Sequence, residues 1–409
     1  MLNSPLFFNS YLIVVPAIGQ KYVKNNFVNT PRIGIIGGGQ LAKMIAISAI
    51  KYGCHIVILE KTQKSPAENL AAEIIYGDWD DPKNLLELAN KVDVITLENE
   101  FVDANSLKVL EDTGHSLYPS STTIDLVQDK LNQKKTLEDA GIPVVAFTAI
   151  ESRVEITRHA DKLGWPIILK ARRNAYDGKG NLTLNSEDDI TSAWTKLNGD
   201  NRKLYIEGFC NFKSELAVMI TRDVNGKIIT YPVVESIQKN HICHIVRAPA
   251  SIDNQLAEKA IELAVRAVKA IDGIGTIGVE MFCTKDNEII INEMAPRVHN
   301  SGHYTIEACE TSQFENHVRT ILGLPLGSSR MIAPAAVMIN MLGNKKGNGF
   351  PFGIEKALAI NGAHVHVYGK TTTNAGRKMG HVTALGSSIA EAEDVAIKAA
   401  SSISFGEQK

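Results

Sequence analysis

The chain carries only five cysteines, at positions 54, 210, 243, 283 and 309, and none stands in a Cys-x-x-Cys pair. An odd, scattered set argues against a disulfide framework and a structural zinc site, and fits a reducing cytoplasm. Charge of one sign is also lacking: 43 basic side chains oppose 45 acidic ones, a formal net charge of -2. No global field draws such a chain to nucleic acid or to an anionic membrane, so any polyanion it binds must be small and held locally. Internal repeats and low-complexity tracts are absent, as is the GxxxxGK[ST] phosphate loop. The apolar residues Leu6, Phe7, Phe8 and 11–15 form too short a run to span a bilayer. Lys21 and Lys24 follow that run, whereas a secretory signal puts its charge first. Residues 1–31 are expected to be a disordered, dispensable extension.

What remains is ordinary globular composition, 44% hydrophobic and 22% charged over 409 residues, enough for about two or three domains. Ile33-Gly34-Ile35-Ile36 reads as a buried strand, Gly37-Gly38-Gly39 as a turn, 40–52 as a helix closed at Gly53, and 55–60 as the next strand. That is a βαβ opening. Residues 92–97 supply a further strand ending in Glu98-Asn99-Glu100, where open parallel sheets gather functional groups. A helix is expected over 125–140, broken by Gly141-Ile142-Pro143. A second unit follows, with strands at 165–170, 204–207 and 215–221, a loop over 174–181 and a helix over 255–271. Gly323-Leu324-Pro325-Leu326-Gly327 reads as a linker to a third unit that ends in a helix near 390–402. The expected division is 1–31, 32–125, 126–323 and 324–409.

Two apolar runs, 277–283 and 288–293, joined at Asp286-Asn287, predict a tight hairpin, because Asn and Asp tolerate the left-handed backbone of a two-residue turn. That register sets Glu280 opposite Glu293, their Cβ atoms roughly 4.5–5.5 Å apart. Two bare carboxylates repel there unless one is protonated or a divalent cation lies between them, and carboxylate and amide oxygens suit Mg²⁺. Two exposed glutamates on an edge hairpin are the simpler alternative; the dense polar run that follows weighs against it.

Gly37-x-Gly39-x-x-Ala42 after a strand, with Glu60 ending the next, matches the dinucleotide fingerprint and by itself points to NAD. The same turn offers backbone N–H groups to any phosphate, or merely closes a βα unit. Lys170 ends a strand and a loop containing Gly178 and Gly180 follows, an arrangement that can cover phosphates during phosphoryl transfer. A solvated basic hairpin is the alternative. Glu207 and Glu215 are candidate acceptors for a nucleoside hydroxyl. Lys370 and the turn Gly376-Arg377-Lys378-Met379-Gly380-His381 form a local basic group able to hold a phosphomonoester.

Together, the lysine strand, the glycine loop, the Glu207-to-Glu215 segment and the paired glutamates resemble an ATP-grasp enzyme. The run Asn292-Glu293-Met294-Ala295-Pro296-Arg297-Val298-His299-Asn300-Ser301-Gly302-His303 narrows the resemblance, with Ser312-Gln313-Phe314-Glu315 and the basic turn beyond it. From about residue 33 to the last helix the chain is similar to 5-(carboxyamino)imidazole ribonucleotide synthases. The resemblance implies an α/β fold: an N-terminal open parallel βαβ domain, a two-part ATP-grasp core and a small β-rich C-terminal domain. It implies that ATP phosphorylates bicarbonate to carboxyphosphate, which delivers CO₂ to the exocyclic amine of 5-aminoimidazole ribonucleotide. The products are the carbamate nucleotide, ADP and phosphate, a step of de novo purine biosynthesis.

By the same resemblance, Lys130, Lys170, Tyr176, Asp177, Gly178, Lys179, Gly180, Glu207, Glu215, Gln238, Asn292 and Glu293 contact ATP. Glu280, Glu293 and Asn292 are implied ligands of Mg²⁺, with Mn²⁺ as a substitute; since Asn292 faces away from Glu293 in an ideal strand, this implied set requires a bulge before Pro296. Gln40, Glu98, Tyr176, Asp177, Lys370 and Arg377 are implied contacts of the ribonucleotide. Arg297, His299, Asn300 and Ser301 are placed at bicarbonate and its phosphorylated form. His299 is expected to assist proton transfer, since an unperturbed pKa of about 6.5 leaves both forms accessible. A cytoplasmic homodimer is implied as well. Gln238 departs from the family, which has a nucleotide-contacting histidine there; His241 lies close by. The N-terminal extension is the other departure.

The rivals are another ATP-grasp ligase (a formyl-phosphate purine transformylase or a biotin-type carboxylase), an NAD-dependent oxidoreductase built on Gly37 and Gly39, and a nucleotide sensor without turnover. A mere sensor has no use for Arg297 and His299.

Overall fold

The structure, a computed structural model, describes residues 30–174 and 180–406. Tyr176, Asp177, Gly178 and Lys179, and the extension up to residue 29, lie outside the described residues. The first unit is a parallel sheet of β1 (Arg32–Ile36), β2 (His55–Glu60), β3 (Glu73–Tyr76), β4 (Val94–Leu97) and β5 (Leu117–Tyr118), in the order β3-β2-β1-β4-β5. Its strands read as continuous apolar runs because both faces are covered. Ile33, Ile35, Ile56 and Ile58 share one core with Leu41 and Ile45 of α1 (Gln40–Ile50). Val57, Leu59, Ile95 and Leu97 form the other with α2 (Pro82–Ala89) and α3 (Ala104–Asp112). The chain order reverses between β1 and β4, so the glycine turn after β1 and Glu98 after β4 meet at the carboxyl edge of the sheet, where such folds bind ligands.

The single helix expected over 125–140 is two helices, α4 (Ser121–Gln128) and α5 (Lys130–Asp139). Asp129 breaks it. Its backbone is extended, its side chain caps α5 by accepting from the Asn132 N–H, and Arg172 holds the same carboxylate at 3.0 and 2.6 Å. A capping aspartate satisfies the free N–H groups of a first turn that a continuous helix would not have. The break puts Lys130 at the start of α5.

Next comes a small sheet of β6 (Phe147–Ala149), β7 (Ile167–Ala171), β8 (Asn181–Leu184) and β9 (Leu204–Gly208), ordered β6-β9-β7-β8. The larger sheet contains β10 (Phe212–Arg222), β11 (Ile228–Thr230), β12 (Val234–Lys239), β13 (Ile242–Ala248), β14 (Gly275–Thr284), β15 (Ile289–Ala295) and β16 (Ala335–Leu342). Its main path runs β15-β14-β10-β12-β13-β16 and continues through Lys378–Gly386 and Ala363–Val367. The chain beyond Gly327 thus extends this sheet, and His381 is carried on the strand beside β16.

The β14–β15 hairpin forms, with a different turn from the one expected. Thr284 N–H donates to Glu288 O at 2.9 Å and Asn287 takes a left-handed φ of 62°, so three residues, 285–287, make the loop. Cys283 therefore pairs with Ile289 and Met281 with Ile291, one step off the two-residue register. A bulge then inserts Asn292, and Glu280 faces Glu293 after all.

Candidate active site

β10 turns Leu216, Val218 and Ile220, and β14 turns Ile277, Val279 and Met281, into a core with Leu263, Ala264 and Val268 of the helix Asn254–Ala270. Strand alternation sends Glu215 and Glu280 to the opposite face. There Glu293 joins them, and the bulge lifts the alternation that would send Asn292 to the other face. Burial, then Glu293 and Glu215, push the Glu280 carboxyl up to about 8. For Glu293 burial also opposes charge, but Lys130 and Lys170 outweigh it and hold the group below the usual carboxylate range. Like charges at close range drive the pair apart in this way. The oxygen set of Glu280, Glu293 and Asn292 fits a hard divalent cation, whose charge relieves the same repulsion.

Helix α5 lies along the outer edge of β15. Gln133 pairs with the Met294 backbone, accepting from its N–H at 3.1 Å and donating to its carbonyl at 3.3 Å. One turn before it, Lys130 Nζ lies 3.2 Å from Glu293 Oε2, and on the next residue Lys134 Nζ lies 3.2 Å from Glu207 Oε1. Lys170 approaches the other Glu207 oxygen at 2.9 Å, and Tyr205 donates its hydroxyl at 2.7 Å. Burial disfavours this carboxylate, yet Lys170 and Lys134 hold its pKa down to about 2. Glu207, only 2% exposed, is thus embedded beneath the lysines. Glu215 is raised by burial and bonded by Gln238, and His241 sits in the β12–β13 turn with a left-handed φ of 61°.

Beyond β15 the chain passes through Arg297 and His299. His299 lies against Gly278, where any Cβ would come within 2.6 Å of the histidine's own Cβ. Gln313 grips its backbone from both sides, accepting from His299 N–H at 2.9 Å and donating to His299 O at 2.7 Å. Its Nδ1 accepts from the Ser301 N–H, which assigns the ring proton to Nε2, 3.3 Å from Glu280 Oε1. Burial, with Arg297 and Lys378, pushes its pKa down to about 3. The expectation of two accessible protonation states is therefore corrected: this histidine is neutral at neutral pH. Asn300 exchanges reciprocal amide bonds with the buried Asn340, at 3.0 and 2.6 Å. The Ser301 hydroxyl is buried and has no hydrogen-bond partner among the described residues.

The glycine turn holds carboxylates. Glu60 accepts from Gly38 N–H at 2.6 Å, and Glu98 fills the space where Cβ atoms at Gly37 and Gly39 would sit. Glu98 also accepts from the Ala42 N–H in the first turn of α1, beside Gln40. Burial raises its pKa against the pull of Arg297 and Lys370. Two carboxylates at the turn disfavour the pyrophosphate of NAD there. Lys370 Nζ donates to Lys378 O at 2.7 Å, and Arg377 is tied to Thr372 at 2.8 Å. Lys378 is the cation of that turn whose field reaches Glu280 and His299.

Three family models match in series: a ribonucleotide synthetase preATP-grasp domain over 30–128, an ATP-grasp domain over 135–314, and a phosphoribosylaminoimidazole carboxylase C-terminal domain over 336–395. The N5-carboxyaminoimidazole ribonucleotide synthase of Synechococcus elongatus is 40% identical over 352 residues, covering 86% of this chain and 88% of that protein. The chain belongs to the N5-carboxyaminoimidazole ribonucleotide synthase family. A family structure from Aspergillus clavatus, solved with ADP and 5-aminoimidazole ribonucleotide, is 36% identical. It superposes with a TM-score of 0.82 over 90% of this chain and 96% of that one. The chloroplastic phosphoribosylaminoimidazole carboxylase of Vigna aconitifolia is 41% identical over 365 residues, 88% of this chain; the chain spans 65% of that longer protein.

Gln133, Lys134, Gln313, Lys378 and Glu100 join the site without having been singled out in sequence. Gln313 lies within the family-like run Ser312 to Glu315, Glu100 within the strand-end run Glu98 to Glu100 and Lys378 within the basic turn, whereas Gln133 and Lys134 carried no signal. Among the described residues, Glu307, His366 and His381 also bring metal-type donor atoms within 4.8 Å of one another. The two imidazoles are stacked at 4.4 Å and 11°, so their in-plane lone pairs do not converge on one ion.

Proposed function

We propose that the chain carboxylates 5-aminoimidazole ribonucleotide with bicarbonate at the expense of ATP, giving N5-carboxyaminoimidazole ribonucleotide, ADP and phosphate in de novo purine biosynthesis. The observation that carries this reading is the facing pair Glu280 and Glu293 between Lys130 and Lys170, with Arg297 and His299 on the same strand exit. The Aspergillus clavatus relative, solved with ADP and 5-aminoimidazole ribonucleotide, supports it.

Lys130 and Lys170 hold phosphates of ATP. Glu280, Glu293 and Asn292 would hold Mg²⁺, which would supply charge neutralisation of the phosphoryl oxygens. A bicarbonate oxygen bonds to the γ-phosphorus, the bond to the bridging oxygen breaks and ADP leaves. Arg297 spreads the charge of the resulting carboxyphosphate across its guanidinium. The exocyclic amine then bonds to the carboxyl carbon, directly or after release as CO₂; the carbon–oxygen bond breaks, phosphate departs and the amine loses its proton. His299 enters neutral and offers its Nε2–H as a donor. Glu98, Gln40, Lys370 and Arg377 hold the ribonucleotide, with Tyr176 and Asp177 from the loop outside the described residues.

The test is phosphate release from Mg-ATP and bicarbonate, with and without fresh 5-aminoimidazole ribonucleotide. Release that requires the ribonucleotide, with its loss in step, is the expected result. No stimulation in folded protein would reject the reading and favour formate or another acyl donor.

A further inference from the structure

Arg297 does not stand alone at the strand exit. Its Nε and NH2 both donate to the carboxylate of Glu100, the NH2 contact at 3.0 Å, and its NH1 donates to Val298 O at 3.1 Å. Both side chains are largely buried, at 18% and 15% exposed. Three of the five N–H donors of a guanidinium are thereby engaged, which leaves one on NH1 and one on NH2. Glu100 itself rests on a braced loop. Gln128 donates to Glu100 O at 2.7 Å and Val102 O at 2.6 Å, and it accepts from Arg173 at 2.7 Å. Burial disfavours the Glu100 carboxylate, yet Arg297 keeps it ionised.

We propose that Glu100 is a positioning residue, clamping Arg297 along its Nε–NH2 edge so that the NH1–NH2 fork faces the reacting anion. The proposal rests on the reading of Arg297 as the bicarbonate and carboxyphosphate ligand. It assigns a role in the ligase site to the preATP-grasp sheet, because Glu100 follows β4 and Arg297 follows β15. A clamp of this kind matters most where charge develops, since a misplacement of about 1 Å costs on the order of 100-fold in rate.

The experiment compares Glu100→Gln, Glu100→Asp and Arg297→Lys by full kinetics in bicarbonate and in ATP. Glu100→Gln is expected to lower kcat/KM for bicarbonate about 100-fold while KM for ATP moves less than about two-fold. Glu100→Asp, which keeps the charge with a shorter reach, is expected to recover part of the loss, and it decides by the same split if Glu100→Gln does not fold. Wild-type bicarbonate kinetics in Glu100→Gln beside an inactive Arg297→Lys would overturn the clamp alone, as would equal losses toward ATP and bicarbonate. Normal turnover in Arg297→Lys would instead remove the underlying reading of the anion site.

Discussion

Glu280 faces Glu293 because two irregularities cancel. The three-residue loop at 285–287 moves the hairpin one step out of the two-residue register, and the bulge at Asn292 moves it back before the glutamates are reached. The same bulge releases Asn292 from strict alternation beside Glu293. One local defect thus restores the pairing and takes Asn292 out of the ladder register.

Glu293→Gln removes the anion that Lys130 and Lys170 favour, so Mg²⁺-dependent turnover should fall at least about 100-fold. Glu280→Gln should do the same while raising the melting temperature of the metal-free protein, since it removes a repelled carboxyl. Thermal melts with and without Mg²⁺, beside Mg²⁺ titration of activity, check both. A metal-induced rise in melting temperature that survives either substitution would count against these ligands.

Arg297→Lys should lower ribonucleotide-dependent turnover by about 100- to 1,000-fold, because an ammonium replaces neither the clamped edge nor the outer fork. ATP binding, followed by fluorescent-nucleotide titration, should be largely spared.

Gly278→Ala places a methyl group against His299. The histidine must shift from Glu280, and kcat should fall about 10- to 100-fold with ATP affinity retained. Gln313→Ala reaches the same ring through its backbone, leaving an N–H and a carbonyl without their partner, at about 1–3 kcal/mol for each buried group. Denaturant melts should separate the two: Gln313→Ala loses stability and activity together, Gly278→Ala chiefly activity.

Two groups of the site contribute to acid sensitivity beside other buried histidines and carboxylates. His299, with a folded pKa of about 3, stays neutral while the unfolded histidine protonates near 6.5, so its share of stability is lost as pH falls from about 6.5 toward 3. Glu207, held at about 2, stays ionised while the unfolded glutamate protonates near 4.3, so its share is lost between about 4.3 and 2. Urea unfolding across pH should show the stability loss in the upper window reduced by His299→Gln and that in the lower one by Glu207→Gln. At neutral pH Glu207→Gln should also cost about 3–5 kcal/mol, because Lys134 is left buried without its anion.

The amino-acid sequence alone determined the βαβ opening, the existence of the hairpin and the run from Pro296 to His303, because these rest on short-range periodicity; the facing of Glu280 and Glu293 was expected from a two-residue turn and is reached instead through a three-residue loop and a bulge. The need for a bulge was legible too, from the conflict between strand alternation and a shared donor set. Tertiary structure alone decided which distant groups meet these residues. Asp129 splits a helix because Arg172 reaches its carboxylate, and α5 then lays Lys130, Gln133 and Lys134 along β15. Glu100 finds Arg297 across 197 positions, and Gln313 finds the backbone of His299. The protonation state of His299 belongs to the same class, since burial and the fields of Arg297 and Lys378 exist only once the units are packed. Local pattern determines which groups a segment offers; packing determines which charges and donors stand within reach, and a pKa or a clamped guanidinium depends on that reach.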